Sequence, residues 1–344
     1  MSERFSASDG PTAGSIRSLR GVFIFLNPYR IQMVLAGCAL TLAAGSVLAI
    51  GQALRRVIDL GFGSQTLVLD QYFIALIGIV ALLALATYGR YYSVSYLGER
   101  VVADLRQRVY RHIIGLSAEF HEMNRAGELT SRLVADTSLI QSVVGATASV
   151  ALRNVLIFLG GSVLLVVTSP KLAGLVFVIV VLVVLPIVFF GQRVRLLSRQ
   201  TQDRIADVGT FAGESLEAFK TVQAFSQEVT NYQSFSKIVE VAFLAAVNQI
   251  KSRSLLIAIV IFFVFGAVVI VLWIGARDVV SGLMTGGELA AFVFYAVMVA
   301  GSVGSLSEVY GDLQRAAGAT ERLMELLSTK AKINIIDKPV KMPV

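Results

Sequence analysis

Residues 172–192 read LAGLVFVIVVLVVLPIVFFGQ, an apolar run that contains no Asp, Glu, Lys or Arg. About 20 such residues, at about 1.5 Å of helix rise each, cross the hydrocarbon core of a bilayer. Lipid offers backbone amides no hydrogen-bond partner, so a segment of this kind crosses the membrane as a helix. Further uncharged runs of similar length lie at 31–54, 71–89, 154–170, 254–276 and 289–307. The sequence therefore predicts an all-α, multi-pass membrane protein with six long spans, in keeping with its mean hydropathy of +0.74.

The predicted membrane domain covers residues 15–328 and is flanked by two segments of different composition. Residues 1–14 are rich in Ser and Gly, and we expect them to be disordered. Residues 15–27 carry apolar side chains three and four positions apart, which favours a short elbow helix in the membrane interface over an ordinary polar tail. Residues 329–344 contain several Lys and Pro residues, as linkers often do. We expect the spans at about 29–60, 70–92, 143–168, 171–192, 254–276 and 288–310.

The basic residues indicate the orientation of the spans. With the N-terminus inside, the outside loops 55–70, 168–171 and 277–288 hold only Arg55, Arg56, Lys171 and Arg277 of the 30 Lys and Arg residues. Cytoplasmic loops carry the excess of positive charge in membrane proteins, so both termini are predicted to be cytoplasmic. The net charge of +7 then reflects topology and contact with anionic membrane lipids. No pattern of stacking aromatic residues accompanies it, so nucleic acid is not an expected partner.

The two long inside connections, about 90–142 and 193–250, carry helical patterns rather than loop composition. In the first, the apolar residues Val101, Leu105, Val109, Ile113 and Leu116 are three or four apart, with polar residues between them. A helix over 127–167 would measure about 60 Å, about twice the hydrocarbon thickness. The spans are therefore predicted to extend into the cytoplasm as two helical hairpins.

Each predicted hairpin has a compact polar interruption at its tip. The first reads FHEMNRAGELTSRL over 120–133, where Asn124 and Gly127 favour a break and Glu128 suits the start of the returning helix. The second reads TVQAFSQEVTNYQSF over 221–235. From spacing alone these tips are either docking elements or solvated turns with helix caps.

A set of short motifs, spread over most of the chain, resembles one membrane-protein family. After the second span the chain has Leu105-Arg106, Phe120, Glu122, Gly127-Glu128-Leu129, Ser131-Arg132-Leu133 and Asp136. Later it has Val222, Phe225, Glu228, Thr285, Gly287-Glu288-Leu289, Ala319 and Arg322. In order and spacing these motifs resemble the transmembrane domain of exporter-type ATP-binding cassette (ABC) half-transporters, a group that includes bacterial lipid flippases and multidrug exporters. The departures are His121, Gln223 and Ser226, where a second aromatic residue, a lysine and a glycine are common.

The resemblance implies that both tips are coupling helices that seat in grooves of nucleotide-binding domains. The residues implied in this contact are Phe120, His121, Glu122, Met123, Asn124, Arg125, Ala224, Phe225, Ser226, Gln227 and Glu228. It also implies a homodimer or heterodimer of half-transporters in the bacterial inner membrane, exporting lipids or amphipathic drug-like molecules by alternating access.

ATP chemistry is not expected within these residues. A phosphate-binding loop needs a Gly-Lys pair, and the sequence contains none, so no catalytic residue is assigned. The resemblance places ATP and Mg²⁺ in a nucleotide-binding domain that follows the linker or is separately encoded. His112 and His121 lack companions at ligand spacing, so no metal site is expected.

Polar side chains inside the spans are the candidates for a substrate cavity. Arg153 and Asn154 lie in the third span and Arg90 in the second, where a charge is costly unless it faces protein or water. The related lipid flippase is similar in having a basic residue at the place of Arg153, where it meets an anionic headgroup. The alternative for Arg153 is a structural ion pair with Glu308. Tyr295 and Met298 in the last span are further candidates, with plain helix packing as their alternative.

Two other classes of function compete with the exporter. One is a six-span channel or secondary carrier that is not driven by ATP, and the other is a membrane scaffold or receptor. The sequence has no potassium-type selectivity filter, no arginine at every third position of a span and no detectable inverted repeat. A scaffold has no need of an arginine such as Arg153 within a span.

Overall fold

The computed structural model describes residues 25–61, 66–329 and 331, without the side chains of 61–69. The predicted disordered segment 1–14, the elbow helix up to residue 24 and nearly all of the linker 329–344 lie outside these residues. The described residues contain helices and turns and no strand. The helices are α1 (Arg30–Arg56), α2 (Thr66–Ile114), α3 (Ala118–Met123), α4 (Ala126–Ser131), α5 (Thr137–Ser142), α6 (Ala148–Thr168), α7 (Pro170–Glu217), α8 (Phe219–Ala224), α9 (Glu228–Val280) and α10 (Gly286–Ser328).

Within the described residues, six helical stretches are long and apolar enough to cross a membrane. They are Asn27–Leu60, Asp70–Ile114, Ala126–Thr168, Pro170–Glu217, Glu228–Val280 and Gly286–Ser328. The prediction of an all-α membrane protein with six spans is therefore confirmed.

The membrane helices are much longer than a bilayer requires. The 49 residues of α2 correspond to about 74 Å, and the 53 residues of α9 to about 80 Å. Both lengths are more than twice the hydrocarbon thickness of about 30 Å. The residues at the start of α7 favour a helix there. The Ser169 hydroxyl accepts a hydrogen bond from the Leu172 N–H, and Pro170 suits the first turn.

The stretch from α4 to α6 contains two π-helical segments, Arg132–Asp136 and Val143–Thr147. Such wide turns are uncommon and often occur at functional positions. The second segment contacts α2 directly, because a Cβ on Gly98 would lie only 2.5 Å from the Cα of Gly145. Glycine at both positions allows the two backbones to touch.

The described chain divides into two compact units. The first holds α1–α6 and α10, and its apolar core lies along the C-terminal part of α2. The stripe predicted from spacing is buried there, and it packs with Leu129, Ile140, Leu323 and Leu326. This core fixes α2, the α4–α6 stretch and the end of α10 against each other.

The second unit, Ser169–Met284, is a long helical hairpin. Its helices α7 and α9 pack along each other, with a stacked pair of rings, Phe211 and Phe235, whose centroids are 6.2 Å apart. Near its other end Lys171 Nζ donates to Asp278 Oδ1 at 2.7 Å. Many large apolar side chains of the unit, including Phe262 and Trp273, are exposed, as suits helices that face lipid.

Candidate functional site

The first tip is built from α3 and the two extended residues after it. Phe120, His121, Glu122 and Met123 lie in α3. Asn124 ends that helix, and Arg125 precedes α4. The break falls at Asn124, as predicted, whereas Gly127 lies inside α4.

Side-chain bonds hold the first tip in place. The Asn124 Nδ2 atom donates to the Phe120 carbonyl oxygen at 2.8 Å. His121 Nε2 lies 3.1 Å from the carbonyl oxygen of Ile113 in α2, so its N–H tautomer donates to that oxygen. The Phe120 ring is half-buried against the apolar core, while Glu122, Met123 and Arg125 are exposed. The tip is thus a fixed element with a mainly polar outer surface.

The second tip is built differently. Its short helix, α8, ends at Ala224, the first of the residues predicted to form the contact. Phe225, Ser226 and Gln227 form the turn, and Glu228 begins α9. The helical spacing that links Val222 to Tyr232 in the sequence therefore runs across a break in the helix.

The break occurs at Ser226, which has a φ of +51° and is the only described non-glycine residue with a positive φ. The Gln227 N–H donates to the Val222 carbonyl oxygen at 3.0 Å, closing the turn at the end of α8. Left-handed conformations at helix ends suit glycine, which lacks the Cβ penalty. The geometry explains why glycine is common at this position in the family that the sequence resembles.

Three apolar side chains around the second tip are largely exposed. Phe225 is 72% exposed, Val229 70% and Tyr232 69%. Lys220 and Glu228 lie beside them in the chain, so this region is outside the hydrocarbon layer. Clustered apolar side chains in water mark contact surfaces.

Arg90 and Arg153 come together in the first unit. Arg90 is buried in α2, and its Nη1 atom donates to Ser149 Oγ of α6 at 2.7 Å. Arg153 follows Ser149 by one helical turn and interacts electrostatically with Arg90. The Nε atoms of both guanidinium groups are buried and have no hydrogen-bond partner. Ser149, which bonds Arg90, and Arg153 thus lie on the same face of α6.

A row of tyrosines lies on α2, the helix that contains Arg90. Tyr88, Tyr92 and Tyr96 are exposed and stack successively, with ring centroids 6.4 Å apart at each step. Tyrosine is enriched at membrane–water interfaces. This tyrosine row on the same helix as Arg90 is typical of a helix segment at the membrane interface.

The alternatives for the other cavity candidates can be compared with the structure. Among the described residues Arg153 forms no ion pair with Glu308, which is exposed. Asn154 is buried and donates to the Val150 carbonyl oxygen of its own helix at 2.9 Å. Arg153 therefore lacks the ion pair that its structural alternative required, whereas the Asn154 amide is bonded within its own helix.

Tyr295 lies in a packing position. Its ring is fully buried, its hydroxyl donates to the Leu48 carbonyl oxygen at 3.1 Å, and a Cβ on Gly51 would lie 2.5 Å from the ring. It joins α10 to α1, which is the packing alternative left open by the sequence. Met298 is half-buried, and its carbonyl oxygen accepts a hydrogen bond from Ser302.

An apolar pocket of about 440 Å³ lies between α6 and α10. Its lining residues were not among those predicted from the sequence. It is lined by Phe158, Val303, Leu306, Ser307 and Tyr310. The spacing of the four α10 residues is that of one helix face, a signal that was available in the sequence.

The family model for the ABC transporter transmembrane region matches residues 33–303. The chain belongs to this family. The prediction of an exporter-type ABC transmembrane domain is confirmed by this match and by the relatives.

Three curated relatives illustrate how far the similarity of this ABC transmembrane domain extends. A putative export ATP-binding/permease protein of Rickettsia bellii is 26% identical over 88% of this chain and 53% of its own length. A mitochondrial ATP-dependent permease of Schizosaccharomyces pombe is 29% identical, covering 87% of this chain and 42% of its own length. An ABC multidrug transporter of Aspergillus fumigatus is 29% identical over 94% and 42%. The chain thus spans about half the length of these relatives.

Two family motif residues of this ABC domain meet near the C-terminal end of α10. Arg322 Nη2 donates to Asp136 Oδ1 at 2.6 Å and its Nε to Oδ2 at 3.1 Å, a two-pronged contact. Both residues belong to motifs visible in the sequence, but their contact was not predicted from it.

The two histidines of the ABC domain have separate structural contacts. His112 Nε2 lies 3.0 Å from the Thr329 carbonyl oxygen, and His121 contacts Ile113. Over the described ranges no group of three or more His, Cys, Asp or Glu side chains is arranged to hold a metal ion.

Proposed function

We propose that this chain is the membrane-spanning half of an ATP-driven exporter that moves lipids or amphipathic, drug-like molecules by alternating access. Two such halves, identical or different, combine as a dimer. ATP and Mg²⁺ are held by a nucleotide-binding domain, in the same polypeptide or in a separate subunit, since residues 1–344 lack a phosphate-binding loop. The proposed location is the bacterial inner membrane, as the motif resemblance to bacterial exporters implies.

The observation that carries the proposal is the exposed apolar tip at the end of a long helical hairpin. The helices α7 and α9 contain 48 and 53 residues, so they extend far beyond a bilayer. Continuous helices transmit displacement between their ends, whereas a flexible loop absorbs it. An ATPase domain that buried Phe225 and its neighbours would thus move the membrane spans.

The two arginines support an amphipathic substrate with an anionic group. A buried guanidinium without a counter-charge is destabilising, and neither Arg90 nor Arg153 has an acidic partner among the described residues. A phosphate or carboxylate headgroup would accept hydrogen bonds from both. The apolar pocket beside Phe158 suits a hydrocarbon or aromatic portion.

Coupling is tested with Phe225→Ala in the assembled transporter, with its ATP-binding domains, reconstituted in vesicles. Screening lipids and amphipathic dyes for stimulation of ATPase activity on the unsubstituted protein first identifies the probe. We expect Phe225→Ala to lower the stimulated activity at least about tenfold, because burial of a large apolar side chain contributes about 1.5–3 kcal/mol. Val280→Ala, which shortens an even more exposed side chain at the other end of α9, is the matched control. Unchanged stimulation in Phe225→Ala, with normal membrane insertion, would contradict the coupling role.

The proposed binding of an anionic headgroup by the two arginines is tested by native mass spectrometry with phosphatidylglycerol. We expect Arg153→Ala to weaken lipid retention several-fold and Arg153→Lys to restore part of it, since the charge returns. Arg193→Ala removes an exposed arginine from α7 and serves as the control. Retention that is undiminished in Arg153→Ala would contradict the anionic site.

A further inference from the structure

A cavity of about 590 Å³ lies beside the C-terminal part of α2, and the proposed function does not use it. Its polar lining comprises Asp104, Gln107, Arg108, Arg111 and His112. The volume is within the range of about 300–1,000 Å³ that is usual for small-ligand sites. Neither Arg90 nor Arg153 is among the described residues that line it, so it is separate from the candidate substrate site.

Two arginines of this cavity lack an acidic partner. Arg108 and Arg111 are exposed and form no ion pair with any residue that the structure describes. The carboxylate of Asp104 is already engaged, because its Oδ2 accepts a hydrogen bond from the Tyr29 hydroxyl at 2.6 Å and its Oδ1 lies 3.5 Å from Arg100 Nη2. The cavity thus offers a ligand two positive charges that no described counter-charge balances.

The two arginines are arranged to act together. They are three residues apart on α2, so they lie on the same face of the helix. The guanidinium carbon of Arg108 lies 5.5 Å from the centre of the Phe25 ring, a cation–π contact that restrains this side chain. Guanidinium groups bind phosphate oxygens through two parallel hydrogen bonds. The arrangement therefore suits an anion that carries a phosphate group.

The start of α1 indicates how the cavity lies relative to the bilayer. With 27 residues α1 is about 40 Å long, close to the thickness of a bilayer with its headgroup layers, so we expect it to begin in a headgroup layer. Tyr29 directly precedes α1 and contacts Asp104, which places one end of the cavity level with that start. Arg108 and Arg111 follow by about one and two helical turns, about 6 and 10 Å.

Helix geometry shortens the distance from the two arginines to the headgroup layer. Side chains of a helix lean toward its N-terminal end, and the N-terminal part of α2 is its apolar, membrane-length stretch. Arginine also has a long aliphatic stem that lets its charged end reach the interface. A phosphate in the headgroup layer is therefore within reach of both side chains.

We propose that this cavity binds the phosphate of an anionic phospholipid from the surrounding bilayer, with Arg108 and Arg111 as the residues that hold it. The bound lipid lies beside the end of α10, because Ala331 lines the cavity and His112 Nε2 lies 3.0 Å from the Thr329 carbonyl oxygen. The site requires only that the chain lies in a membrane, and it does not depend on ATP-driven transport or on the substrate site.

The site is tested by native mass spectrometry of the assembled transporter with phosphatidylglycerol, in an Arg153→Ala background that removes the substrate-site arginine. We expect Arg108→Gln with Arg111→Gln to weaken lipid retention at least about fivefold, since hydrogen bonds to a charged group are lost. Lysine at both positions should restore part of it. Arg195→Gln with Arg199→Gln removes the same charge from exposed positions of α7 and is the matched control. Equal losses in the two glutamine variants would overturn the site.

Two further measurements place the lipid in the cavity and identify the anion. Gln107→Trp keeps both arginines but fills part of the cavity, so it should lower retention at least about threefold. Unchanged retention in this variant would show that the lipid binds elsewhere. Excess inorganic phosphate should leave phosphatidylglycerol bound, and displacement by phosphate would assign the cavity to a soluble anion. Phosphatidylcholine, which has no net charge, should be retained less, and equal retention would contradict selection of an anionic lipid.

Discussion

The two hairpin tips differ in construction, although the resemblance assigns them one role. In the first tip, side-chain bonds from His121 and Asn124 tie α3 to the chain before it, and Phe120 reaches the apolar core. In the second tip, a backbone turn at Ser226 separates α8 from α9, and Phe225 points away from any core. The comparison teaches that the first tip is shaped before a partner arrives, whereas the second offers apolar surface that a partner would bury.

The largest effect is expected when the same charged residue, aspartate, is placed in each tip in turn and the two variants are compared. Phe225 and Met123 are 72% and 70% exposed, so aspartate at either position leaves the isolated chain nearly undisturbed. We expect Phe225→Asp to reduce stimulated ATPase activity at least about tenfold more than Met123→Asp, because it places a charge in an apolar contact. Equal losses in reconstituted vesicles would remove the distinction between the tips.

A smaller effect is expected from releasing the first tip. His121→Ala removes the bond to the Ile113 carbonyl oxygen, so α3 should lose about 1 kcal/mol of local stability. Hydrogen exchange over residues 118–125 should then speed up about fivefold. Glu122→Ala, at an exposed neighbouring position, is the control and should leave the exchange rate unchanged. If His121→Ala also left it unchanged, the tip would not depend on this bond.

The smallest expected effect concerns the left-handed turn at Ser226 in the second tip. Ser226→Gly should stabilise the turn by about 1 kcal/mol, because the left-handed conformation costs a side chain about that much. Ser236→Gly lies inside α9 and should instead destabilise by about 0.5 kcal/mol. Hydrogen exchange over residues 219–236 distinguishes the two signs. Faster exchange around the turn in Ser226→Gly would show that Ser226 is not strained.

The spans could be predicted from the sequence because their signal is local. An uncharged apolar run such as 172–192 predicts a membrane span without reference to the rest of the chain. The spacing from Val101 to Leu116 likewise predicts one buried helix face. The break at Asn124 was likewise visible. The second break could not be assigned to a residue, because Ser226 carries no glycine signal and the apolar spacing continues across the turn.

The contacts between distant residues could not be predicted in this way. Arg90 meets Ser149, and Asp136 meets Arg322, only after the helices pack. Tyr295 has the sequence appearance of a cavity residue, yet its position against Gly51 makes it a packing residue. No residue pattern in the sequence predicted the π-helical segments.

The central claim, that both tips contact an ATPase surface, is tested most directly by hydrogen exchange in the assembled transporter. Exchange over residues 118–125 and 219–228 is compared between the assembly and the transmembrane chain alone in the same detergent. The account predicts slower exchange at both tips in the assembly, with the exposed end of α9 near Val280 unchanged. Equal rates at both tips with and without the ATP-binding domains would contradict it.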